Sequence, residues 1–156
     1  MNKYERLEDE ACKDGIDIIQ CNFNSNKIKG LYCDGTIGIN QRIKTVAEKS
    51  CILSEELGHH YTSHGIILDQ SFSDNRKQEH RARLWAYNKQ IGLLGIIECF
   101  KRGCRSIHEM AEYLEVTEPF LKDTLEAYRL KYGQYTTIDN YIIYFEPNFY
   151  VADMNF

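Results

Sequence analysis

The stretch Glu55-Glu56-Leu57-Gly58-His59 constrains this chain more than any other. It is one residue away from H-E-x-x-H, a pattern that puts two metal ligands at i and i+4 with a glutamate general base between them. Such a pattern works only on a helix. At about 100° per residue, Glu55 and His59 fall roughly 40° apart around the axis, with Glu56 beside them. The run from Thr45 to Ser54 leads into the motif with no proline or glycine. Val46, Leu53 and Leu57 take roughly the opposite face. The spacing predicts a helix over 45–62 with a core side and a side of acid and imidazole. A carboxylate is an accepted zinc ligand, so Glu55 can stand where the pattern has histidine. The competing reading is a solvated helix face on which Glu and His fall by chance.

A second helix is expected from Arg76 through Ile91 and on to about Phe100, after a loop over 66–75. Gly92 and Gly95 weaken its middle. Ala82, Ala86 and Leu93 fall within about 60° of Glu79 on its wheel. Small alanines beside a carboxylate let two helix backbones approach closely. One helix could then deliver Glu79 to His59 as a further ligand. The competing reading makes Glu79 a surface acid paired with Arg76 and Arg83.

Together, Ser54-Glu55-Glu56-Leu57-Gly58-His59-His60-Tyr61-Thr62 and Glu79-x-x-Ala82-x-x-Trp85-Ala86 resemble the ImmA/IrrE metallo-endopeptidases, a zincin-like group common in phages and mobile elements. That family carries H-E-L-G-H and then E-x-x-A-x-x-F-A. The likeness extends upstream through Lys29 to Asn40 and downstream through Glu112 to Thr117 and Tyr132-Gly133. The resemblance implies an α+β, zincin-like metallopeptidase fold: a small mixed or antiparallel sheet on a helical core, with a C-terminal helix pair and β-hairpin. It implies Glu56 as general base and Glu55, His59 and Glu79 as ligands of one divalent ion, zinc by preference. Replacing a neutral histidine with anionic Glu55 favours harder ions, so manganese and iron also suit the site. The implied substrate is a protein, a helix–turn–helix repressor of a phage or mobile element, cut to relieve repression. The alternative is a regulator of the same fold that binds such a partner without cutting it.

Several function classes are disfavoured. The net charge of -4 argues against broad capture of nucleic acid or of an anionic membrane. No signal peptide and no apolar run of spanning length is seen, which points to the cytoplasm. Six cysteines are present, none in C-x-x-C and none at finger spacing with histidine. Free thiols in a reducing compartment, mostly buried as small hydrophobes, are expected.

The remaining chain reads as follows. Residues 3–15 are helix-prone, and 16–23 form a strand. Lys27 to Asn40 gives two strands around Asp34-Gly35, a hairpin dipeptide. Ser106 followed by Glu109 is a capping-box pattern. Thr117 caps the next helix, with Pro119 in its first turn and Gly133 past its end. This outline invites a DNA-binding reading, but between Ser106 and Tyr128 the acids Glu109, Glu112, Glu115, Glu118, Asp123 and Glu126 face a single Lys122. A recognition helix needs cations against phosphate, so no direct nucleic-acid contact is expected. Strands are expected at 136–138 and 141–145. Residues 1–105 are expected to form the metallopeptidase core, with 106–156 packed on it as one domain. His60, His64 and Tyr61 are accessory candidates. His60 and His64 form an alternative i, i+4 ligand pair, and His60 or Tyr61 can donate to an oxyanion. The wheel position of Tyr61 favours packing.

Overall fold

The computed structural model describes residues 1–63 and 72–155. Its elements are α1 (Lys3–Lys13), β1 (Asp17–Cys21), β2 (Gly30–Cys33), β3 (Thr36–Asn40), α2 (Val46–Thr62) and α3 (Phe72–Gln90), then α4 (Gly92–Lys101), α5 (Ile107–Leu114), α6 (Glu118–Tyr132), β4 (Tyr135–Ile138), β5 (Tyr141–Tyr144) and β6 (Tyr150–Asp153). The expected α+β class holds. The chain groups into two compact units, Met1–Lys89 and Gln90–Phe156, so α4 goes with the C-terminal elements.

In the first unit the sheet order is β1-β3-β2. β3 is central, parallel to β1 and antiparallel to β2. Asp34 and Gly35 take positive φ of 46° and 82°, the mirror-image geometry that a two-residue hairpin requires. Ile37 and Ile39 point from β3 into the core, where they meet Leu7 and Ala11 of α1 and Ile52, Leu53 and Leu57 of α2. α1 and α2 each begin at a side-chain cap. Asn2 accepts from the Glu5 N–H, and Thr45 from the Glu48 N–H. Val46 does not join the core face: it is 40% exposed, in the first turn, where the helix has not yet met the sheet.

The expected helix from 76 to 100 is two helices. Gly92 sits at φ +66°, a left-handed conformation that interrupts the helix at little steric cost because glycine has no Cβ. At the other end, α3 starts earlier than expected, at Phe72. In the second unit Ser106 and Thr117 cap α5 and α6 as expected. The Glu109 carboxylate, however, turns back to the Arg105 N–H, not to that of Ser106. The expected C-terminal hairpin is a three-stranded antiparallel sheet, β4-β5-β6. β6 lacks the turn dipeptide that marks the Asp139-Asn140 hairpin, and it is found only through its pairing with β5. Tyr128, Leu121 and Ile143 are fully buried in this unit. The cysteines are free as expected, but only Cys51 and Cys99 are buried.

Candidate metal centre and acid–base site

The E-E-x-x-H segment lies in the second half of α2, and its helical register is kept throughout. Leu53 and Leu57 face the core, while Glu55, Glu56, His59 and His60 are each partly buried. α3 meets α2 at Gly58. A methyl group there would lie 2.9 Å from the Ala82 carbonyl carbon and closer still to its oxygen. The glycine of the motif and the alanine of E-x-x-A therefore form one backbone contact. That contact brings Glu79, one turn before Ala82, to His59, the residue after Gly58.

The result is a direct meeting of two expected ligands. His59 Nε2 lies 3.2 Å from Glu79 Oε2. The other carboxylate oxygen, Oε1, is 3.3 Å from Arg83 Nε on the next turn of α3. Glu79 thus reaches His59 and also keeps Arg83, one of its two expected surface partners. Glu55 is close enough to act electrostatically on Glu56. Among the described residues, however, no three His, Cys, Asp or Glu side chains gather into a metal-holding group. Carboxylates repel one another at short range, so Glu79 settles on imidazole and guanidinium in preference to Glu55. The donor chemistry fits a divalent ion at two positions, an imidazole nitrogen and a carboxylate oxygen already in contact.

Glu56 occupies a different environment. It lies against β2, the edge strand. A methyl group added to Gly30 would meet Ile52 Cγ2 at 2.7 Å and Glu56 Cγ at 3.2 Å. The bare Gly30 backbone is what lets this carboxylate slide under the strand. Burial, then the negative charges of Glu55 and Glu79, push its pKa from 4.5 up to about 7. A backbone hydrogen bond from Tyr32 acts the other way. A carboxylate poised near neutrality, beside a pair of ligand-type side chains, has the property a general base needs.

His60 is held by Tyr32, whose hydroxyl is 2.8 Å from His60 Nδ1. Tyr61 packs edge to face on His60 and carries the contact outward. It stacks on Trp85 with centroids 5.0 Å apart, and its hydroxyl bonds to Asp14 beyond the end of α1. Its role is packing, as its wheel position suggested. His64, the far member of the alternative pair, lies outside the described residues, as does most of the loop expected over 66–75. Sequence reasoning missed three residues. Gly58 and Gly30 were legible only as helix and strand glycines, and their contacts are tertiary. Tyr32 fell within the Lys29 to Asn40 likeness but was given no role of its own.

Residues 11–126 match the family model described as the IrrE N-terminal-like domain, Peptidase_M78. The match covers most of the chain, which therefore belongs to that metallopeptidase family. Comparison with curated proteins and with solved structures found no match.

Proposed function

We propose that the chain is a metal-dependent endopeptidase of zincin-like fold that cuts a helix–turn–helix repressor of a phage or mobile element. The single observation that carries the reading is the 3.2 Å contact between His59 and Glu79, brought about by the Gly58–Ala82 crossing. In this reading His59 and Glu79 hold the ion, and Glu55 supplies a third ligand by a side-chain rotation. A bound divalent ion would supply Lewis acidity toward a peptide carbonyl and its attacking water. Glu56 takes the proton of that water and passes it to the leaving amine. The exposed edge of β2, next to Glu56, accommodates an extended peptide by backbone pairing. Residues 1–105 carry the catalytic core, and 106–156 serve packing or partner recognition.

A second reading is a non-catalytic regulator that binds the repressor. Arg83 favours it, because its guanidinium holds the second oxygen of Glu79. Metal analysis and one variant separate the two. Purified protein is expected to hold roughly one divalent ion per chain, and His59→Ala to release it. Glu56→Gln is expected to keep the ion and the fold but to lose repressor cleavage, because an amide cannot take the proton. If Glu56→Gln relieves repression as well as the native chain does, the protein works by binding.

A further inference from the structure

Tyr32 touches the candidate site twice, through two different groups. Its backbone, on edge strand β2, lies close enough to the Glu56 carboxylate to lower its pKa against the effect of burial. Its hydroxyl lies 2.8 Å from His60 Nδ1. The same hydroxyl oxygen accepts the Gly35 N–H at 3.3 Å, in the hairpin turn between β2 and β3. The two rings meet edge to face, with centroids 5.4 Å apart and planes at 76°. Tyr61 packs on the imidazole as a second edge-to-face neighbour, at 5.0 Å and 85°. The His60 ring is therefore fixed in position from two sides.

The hydrogen-bond arithmetic fixes its proton as well. A phenol has one proton to donate and can accept from others. Here the oxygen already accepts from Gly35. A neutral imidazole has one nitrogen that donates and one that accepts. The phenolic proton needs an acceptor, and His60 Nδ1 lies 2.8 Å from the hydroxyl oxygen. We infer that Tyr32 is a positioning residue: it donates to His60 Nδ1 and so holds the imidazole as the Nε2–H tautomer, a neutral hydrogen-bond donor beside Glu56. In the opposite tautomer the phenolic proton would have to turn from His60 to solvent.

The consequence rests on the endopeptidase reading. Negative charge develops on the carbonyl oxygen of the bond being cut, and a fixed neutral donor stabilises it without being reoriented during the reaction. Tyr32 also couples the strand that accommodates the peptide to two groups that act on it. Seating a peptide against β2 and setting the proton-bearing side chains are then one event. Tyr32→Phe removes the hydroxyl and keeps the ring, the strand and the backbone beside Glu56.

The test has a spectroscopic arm and a kinetic arm. Long-range proton–nitrogen NMR of the metal-free protein, in mildly alkaline buffer, reads which ring nitrogen carries the proton. The native chain is expected to show Nε2–H alone, and Tyr32→Phe a mixture of both tautomers. An Nδ1–H ring in the native chain, or spectra unchanged by the substitution, would overturn the assignment. In cleavage assays Tyr32→Phe is expected to lower kcat about tenfold or more with KM and metal content little changed. His60→Ala should lower it at least as far, and the double variant no further, because Tyr32 acts through His60. Additive losses would assign the two residues separate roles and overturn the coupling. If the native chain cleaves nothing, the endopeptidase reading fails, and the NMR arm still decides the assignment of Tyr32.

Discussion

Glu56 is a carboxylate kept under a strand and next to two other acids, and this has a thermodynamic cost that pH should reveal. Its folded pKa, about 7, lies above its ordinary value of 4.5. Between those values the folded chain binds the proton more tightly than the unfolded one. The stability that Glu56 contributes is thus fully present below about 4.5 and is lost as pH rises through about 7. In chelator-treated protein, Glu56→Gln is expected to stabilise the fold above neutrality by on the order of 1–3 kcal/mol, and to have little effect in acid. Denaturant melts across the pH range measure this, and a pH-independent difference would mean that Glu56 is not buried as a charge. Glu55 gives the other prediction at this scale. Glu55→His replaces a hard anionic ligand with a neutral one that suits zinc. Zinc affinity is expected to rise roughly tenfold, read by competition with a chromophoric chelator. No change would mean that position 55 does not reach the ion.

At the scale of elements, the decisive contact is one glycine against one carbonyl. Alanine ordinarily outranks glycine inside a helix by about 1 kcal/mol. At Gly58 the sign reverses, because the added methyl would press on the Ala82 backbone, which cannot move as a side-chain end can. Gly58→Ala is expected to cost on the order of 1–3 kcal/mol and to move α3 away from α2. His59 and Glu79 would then part, and metal content would fall even though neither ligand was changed. A thermal midpoint and metal content both equal to those of the native chain would show that the helices do not meet there. The starts of α5 and α6 were legible at this scale, since Ser106 and Thr117 are caps that act through their immediate neighbours. Gly92 shows the limit. A helical glycine and a helix-breaking glycine look alike in sequence until packing selects a φ.

For the whole molecule, charge and patterning set the broad behaviour. The chain carries a net charge of -4, and in α5 and the first half of α6 acids outnumber bases. Duplex DNA at physiological salt is expected to show no saturable binding below about 100 μM by fluorescence anisotropy. Micromolar binding that weakens steeply with salt would restore the DNA-binding reading of the helix pair. Among the described residues, no helix is long and apolar enough to cross a membrane. The α+β class, the caps, the Asp34-Gly35 hairpin and the helix with Glu55, Glu56 and His59 on one face were all determined by the sequence alone. Each depends on residues within a turn or two of one another, where periodicity and backbone preference decide. The pairing of β6, the parallel match of β1 to β3, and the raised pKa of Glu56 were decided only by tertiary structure. So were the meeting of His59 with Glu79 and the grip of Tyr32 on His60. These join residues far apart in the chain, and their energies come from burial, close approach and charge proximity, which a linear pattern does not encode.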